Sequence, residues 1–95
     1  MSRFDQAKMV MQARKLQKEL AKTIIEVEAG GVTIQISGEQ KIKKVTIDPE
    51  QIDMDDIGQL ERWVEEAVRE AIQKSQKVAA EKMQPMMGML GGLGL

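Results

Sequence analysis

The feature that most limits what this chain can fold into is a double change in the spacing of its apolar residues. Met9, Ala13, Leu16, Leu20 and Ile24 recur every three or four positions, one stripe of an amphipathic helix. From Ile25 the period drops to two. Ile25, Val27 and Ala29 alternate with Glu26 and Glu28, and after Gly30-Gly31 Val32, Ile34 and Ile36 alternate with Thr33, Gln35 and Ser37. That is the pattern of half-buried strands joined by a tight turn. From Ile57 the helical period returns through Leu60, Val64, Ala67, Ala71 and Val78. A helix, a short run of strands and a second helix give an α+β protein.

The boundaries follow from local chemistry. The first helix is expected from Ser2, a candidate N-cap, to about Thr23, since no Gly or Pro interrupts it. Ser37-Gly38-Glu39-Gln40 is a second turn, and Ile42 to Ile47 a third strand closed by Asp48-Pro49-Glu50, because proline donates nothing to a ladder. In this strand Val45 and Ile47 share a face that strict alternation denies to Ile42, so a bulge or frayed start is expected near Lys43. Asp53, Asp55 and Asp56 suit the start of the last helix, where carboxylates cap free amides and complement the dipole. That helix is expected from about Asp55 to Gln84, with Pro85 ending it. Its seam weakens at Lys74 and Ser75, while Val68, Ile72, Ala79 and Met83 widen the stripe. Residues 1–84 then form one domain, and the Met/Gly/Leu-rich residues 85–95 a flexible tail.

Composition excludes several classes of function. The chain has 95 residues, no Cys and no His, and one Phe and one Trp as its only aromatics. There is no disulfide framework, no thiolate metal site and no imidazole base. Asp53 to Gly58 brushes against a calcium loop, but Ile57 and Val64 would fall where oxygen ligands are required. The glycines at 88, 91, 92 and 94 lack the Gly-Lys-Ser/Thr of a phosphate loop. Glu65-Glu66 lies between Arg62 and Arg69 and reads as a solvated, salt-bridged face. We therefore expect no enzymatic activity, no cofactor, no metal and no small-molecule substrate. No run is apolar enough to span a membrane and MSRFDQAKMV lacks the apolar core of a signal peptide, so the expectation is a cytoplasmic protein without a membrane partner.

Net charge is −1, but the charges are segregated. Residues 1–23 carry six basic residues against Asp5 and Glu19, a net of +4, whereas residues 48–72 carry nine acids against Arg62 and Arg69, a net of −7. On the first helix Lys8, Lys15, Lys18 and Lys22 fall nearly opposite the apolar stripe. Such a face is either simply solvated or a phosphate-contact surface that releases counterions. No aromatic is interleaved with these lysines, so stacking on single strands is not expected.

The basic helix KMVMQARKLQKELAK, the glycine-marked strands AGGVTIQISGEQKIKKVTIDPE, the acidic helix LERWVEEAVREAIQKSQKVAAEKM and the Gly/Met/Leu tail together resemble the YbaB/EbfC family across nearly the full chain. The resemblance implies a helix, three-stranded antiparallel sheet and long C-terminal helix. It further implies a tweezer-like homodimer, with sheets joined at the centre and helices projecting outward, and a role in DNA binding and nucleoid organisation. We expect a homodimeric, architectural partner of double-stranded DNA. Lys8, Lys15, Lys18 and Lys22 are its first candidate contacts, Arg14 and Arg3 the next, and Lys74 and Lys77 second in rank. Ile57, Leu60, Val64, Ala67 and Ala71 are the expected dimer interface, since three short strands cannot cover so long a helix. The rival expectation is a homodimeric protein-interaction scaffold that does not touch DNA.

Overall fold

The computed structural model describes the backbone of residues 3–91 and the side chains of residues 3–85. The order is α1 (Arg3–Lys22), β1 (Ile24–Ala29), β2 (Val32–Ser37), β3 (Ile42–Ile47), a single 3₁₀ turn (Pro49–Gln51) and α2 (Ile57–Gly91). The expected N-cap, Ser2, lies outside the described residues, as do residues 92–95.

The strands form one antiparallel sheet in the order β1-β2-β3. Gly30, at φ +55°, makes the first turn, and a Cβ there would collide with the Trp63 indole. This position therefore needs glycine both for its backbone angle and for the ring lying on it. Val32 pairs with Ile47, Ile34 with Val45 and Ile36 with Ile42, whereas Gln35 pairs with Lys44. Lys43 is thus the extra residue of a bulge, where the broken alternation had placed it. The bulge brings Ile42 onto the face already shared by Val45 and Ile47.

α2 lies along β2 over the β1–β2 half of the sheet. Trp63 rests on the Gly30 turn at one end, and at the other the Ser75 hydroxyl donates to the Ser37 carbonyl at 2.7 Å, both residues fully buried. The apolar core consists of Val27, Ala29, Val32, Ile34 and Ile36 from the sheet with Ala67 and Ala71 from the helix, and Ile25, Leu60 and Trp63 pack at its edge. Alanine at the contact lets the helix backbone come close to the strands. The break in the seam at Ser75 is therefore no weakness: a small residue is needed there too, and its hydroxyl gives the buried Ser37 carbonyl a second donor beside the Gln40 amide.

Asp56 caps α2, accepting from the Gln59 amide at 3.2 Å, and Asp53 accepts from the Asp55 amide at 2.9 Å. The helix therefore starts at Ile57, two residues later than expected. It also does not stop at Pro85 but continues to Gly91. Proline removes one intrahelical bond, and its ring crowds the preceding turn. Exposed helix can bend to relieve that crowding, and the Met and Leu residues that follow are good helix formers. With 35 residues α2 is about 52 Å long, and the molecule is drawn out to 65 × 22 × 12 Å.

At the far end of the sheet the Gly38 amide donates to the carbonyls of Leu20 and Thr23, both at 3.0 Å, which ties the end of α1 to the β2–β3 turn. A Cβ at Gly38 would sit 2.9 Å from Leu20 Cδ2 and 3.0 Å from its carbonyl oxygen, so α1 docks there only against glycine. None of the residues of α1 is fully buried.

Replacing Ser75 by Ala removes one of the two donors to the buried Ser37 carbonyl, which keeps the Gln40 amide at 3.0 Å. The expected cost is about 0.5–1.5 kcal/mol, read as a lower urea midpoint with an unchanged denaturant slope.

Candidate nucleic-acid interface

The basic helix carries its charge on exposed side chains. Arg3, Lys8, Arg14, Lys15, Lys18 and Lys22 are all exposed, whereas Met9, Leu16 and Leu20 on the opposite side are half-buried. One turn of helix advances 3.6 residues, so Lys8, Lys15, Lys18 and Lys22 fall within one quarter of the helix circumference, with Arg14 and Arg3 at its margin. Lys22 in the last turn also complements the helix dipole. Ala13, placed in the apolar stripe, is exposed.

Two exposed apolar residues stand among these cations. Phe4 lies one turn before Lys8 and is 87% exposed, and Met11 is 71% exposed. The expectation that no aromatic is interleaved with the lysines is therefore corrected. The signal was in the sequence: residues four apart share a helix face, and Phe4 and Lys8 are four apart.

The second-rank candidates behave differently from each other. Lys74 Nζ is 3.0 Å from Glu70 Oε1, an exposed pair one turn apart. Lys77 is exposed and makes no ion pair among the described residues. Arg69 pairs with Glu65 at 2.6 Å on the solvated face, as expected of that acidic run.

The residues expected at a dimer interface divide into two sets. Ala67 and Ala71 are fully buried against the sheet of their own protomer, and Leu60 packs beside them. All three serve the protomer core, and Ala67 and Ala71 have no surface left for a partner, whereas Leu60 is half-buried. Ile57 and Val64 are 40% and 37% exposed, and the residues that widen the stripe, Val68 and Ile72, are exposed with them. Helix handedness places this flank. The Gly31 carbonyl accepts from Asp48, next to β3, so the polar groups of Val32, its neighbour in alternation, turn to β1. With Val32, Ile34 and Ile36 facing α2, and α2 running parallel to β2, right-handed rotation turns Ile57, Val64, Val68 and Ile72 toward β3. Trp63 turns toward β1.

On that side β3 is bare. Each of its residues is exposed, although Ile42, Val45 and Ile47 stand on the face that in β2 is fully buried. The strand forms the floor and the α2 flank the wall of one apolar step. Sequence reasoning missed this floor, because three branched apolar residues in a strand read as core.

No described helix is long and apolar enough to cross a membrane. The carboxylates of Asp48, Asp53 and Asp56 each hold a backbone amide in the connection between β3 and α2.

Because Lys15 and Lys18 are solvated, changing both to Ala is expected to alter folding stability by less than about 0.5 kcal/mol, measured by thermal or urea denaturation.

Comparison with known proteins agrees with this architecture. A profile of the YbaB/EbfC DNA-binding family matches residues 1–90. A nucleoid-associated protein of Chloroflexus aurantiacus is 41% identical over 87 residues, covering 90% of this chain and 87% of the relative. Another, from Saccharopolyspora erythraea, is 42% identical over 87 residues, covering 90% of this chain and 75% of its own. The crystal structure of an uncharacterized protein from Helicobacter pylori superposes with a TM-score of 0.76 over 85% of this chain and 87% of that one. At 14% identity it speaks for the fold alone.

Proposed function

This chain belongs to the YbaB/EbfC DNA-binding family, and from that membership we propose that it is a nucleoid-associated protein that binds duplex DNA as a homodimer, mainly through the phosphate backbone. The observation that carries the phosphate reading is the exposed basic quarter of α1. Lysines on a helix back can neutralise phosphates without reading base edges, so contacts of this type position a protein and carry little sequence information. A short recognition helix after a tight turn, the device for reading the major groove, does not occur among the described elements. The family is a DNA-binding one, and we read the chain as non-enzymatic.

A second copy is the occupant we assign to the apolar step. The protomer buries only seven apolar residues among those described, all beneath one half of the sheet. Small domains of this kind add core by association. A two-fold partner laid against β3 would cover Ile42, Val45 and Ile47 together with Ile57 and Val64, a larger apolar area than the protomer's own helix leaves within reach. The dimer face therefore lies on β3 and the flank of α2, not on the Ala67–Ala71 line.

The DNA reading is tested by titrating unrelated duplexes across a salt series. Affinity should fall with a log–log slope of about −0.9 per phosphate neutralised. Lys15→Ala with Lys18→Ala should weaken binding by similar factors on every sequence and flatten the slope by about one unit for each phosphate no longer neutralised. Glu65→Ala with Glu66→Ala should not weaken it. A parent protein without salt-sensitive binding would turn the reading toward a protein-interaction scaffold.

The dimer is tested by two contrasting variants. Val64→Glu should remain folded and sediment as a monomer at micromolar concentration. Ala71→Glu should fail to fold, since it puts a carboxylate into the protomer core. A stable, folded monomer of the parent protein at that concentration refutes the assembly.

A further inference from the structure

The bulge in β3 has an effect on charge as well as on packing. In a regular strand neighbouring residues point to opposite faces, so one of two consecutive lysines would stand on the apolar side. Here Ile42 pairs with Ile36 on the face toward α2, and Lys44 pairs with Gln35 on the outer face. Pairing is regular from Ser37–Lys41 through Ile36–Ile42, so the extra residue, Lys43, is set with Lys44 against Gln35 and shares its outer face. The outer face of β3 thus carries two lysines side by side, and Lys41 stands at the head of the strand. All three are exposed, and none makes an ion pair among the described residues. Residues 40–47 contain no acid. The acid in the same cross-strand row is Glu26, which pairs with Gln35 on β1, two strands or about 10 Å from Lys44.

This cluster is continuous with the basic end of α1. The Lys41 carbonyl accepts from the Ser37 amide at 2.9 Å, and the adjoining Gly38 amide donates to the carbonyls of Leu20 and Thr23. The strand lysines therefore begin where Lys22 ends the helix. The rigid sheet, not a mobile loop, holds Lys43 and Lys44.

We propose that the outer face of β3, through Lys43 and Lys44 with Lys41 at its edge, is a second phosphate-contact surface for duplex DNA, adjoining the basic quarter of α1 and carried by different residues. The proposal rests on the DNA-binding reading above and assigns to the sheet a share of contact that the helix was expected to carry alone. Charge complementarity selects the partner. The patch has cations without an aromatic platform, which suits a phosphate backbone and gives nothing for unstacked bases to lie on.

The test uses the full chain, a fluorescently labelled random-sequence duplex and a salt series. Four proteins are compared: the parent, Lys43→Gln with Lys44→Gln, Lys43→Arg with Lys44→Arg, and Lys15→Ala with Lys18→Ala. Removing one lysine–phosphate pair should weaken binding about fivefold near physiological salt and flatten the log–log slope by about 0.9. The glutamine pair should therefore bind at least about fivefold more weakly with a flatter slope, the arginine pair should bind like the parent, and all four should sediment alike. The glutamine pair binding with the parent's affinity and slope overturns the proposal while the α1 reading stands. Aggregation of that variant with unchanged DNA affinity also overturns it, since the lysines would then merely guard an edge strand. Weaker binding accompanied by loss of the dimer overturns it as well, because the lysines would then act through assembly. A parent protein that does not bind the duplex removes the DNA reading itself.

Discussion

A helix is about 10 Å wide and strands lie about 4.8 Å apart, so one helix covers two strands and not three. Most of the shape of this molecule follows from that mismatch. α2 settles over β1 and β2, where Ala67, Ala71 and Ser75 let it come close, and β3 remains bare on the face that carries Ile42, Val45 and Ile47. A short strand with an apolar floor beside an apolar helix flank is costly to leave in water. Within a chain of 95 residues no further described element lies over it. The second copy proposed above would cover it, and in that arrangement the ends of the helices that overrun the sheet would project away from the centre.

The close approach of α2 explains which residues can stand where. Alanine contributes little buried area, so the seam looks weak when it is judged by side-chain size. Its effect is to bring two backbones together over the end of β2, where the buried Ser37 carbonyl accepts from the Gln40 amide and has capacity for a second donor. Ser75 supplies that second donor from a residue small enough for the same narrow gap. At the other end Trp63 closes the core against a turn that only glycine leaves open.

Much of the fold was legible in the sequence because each element announced its own period. The switch from four-residue to two-residue spacing at Ile25 and back at Ile57 marks the elements, and the broken alternation at Ile42 located the bulge. What stayed hidden depended on which surface an apolar residue would meet. Ala67 and Ala71 share a stripe with Ile57 and Val64, and no spacing rule says that the first pair faces the sheet while the second stays open. That depends on where the helix axis lies. Ser75 looked like an interruption because its partner is 38 residues away. Pro85 looked like an end because the penalty for a mid-helix proline is weighed against helix formers on both sides. The basic quarter of α1 could be read from spacing, whereas the lysines of β3 could not, because their common face exists only through the bulge.

Net charge is a poor guide to what such a molecule can approach. The whole chain carries −1, yet the acids of the β3–α2 connection and the lysines at the end of α1 and the head of β3 stand at opposite ends of the sheet. The connection that holds Asp48, Glu50, Asp53, Asp55 and Asp56 begins at the Gly31 end of β2, where the Asp48 amide donates to the Gly31 carbonyl. The end of α1 and Lys41 meet at the other end, around Ser37 and Gly38. The six residues of β2 put about 20 Å between the two ends, and at physiological salt the Debye length is about 8 Å. A phosphate near the Gly38 end is therefore screened from the acids at the Gly31 end, and its energy is set by the charges beside it, the lysines against Glu19 and Glu39. Segregation over more than two screening lengths lets a slightly acidic chain present a basic surface. It also makes any attraction to a polyanion local, steep in salt and independent of the isoelectric point.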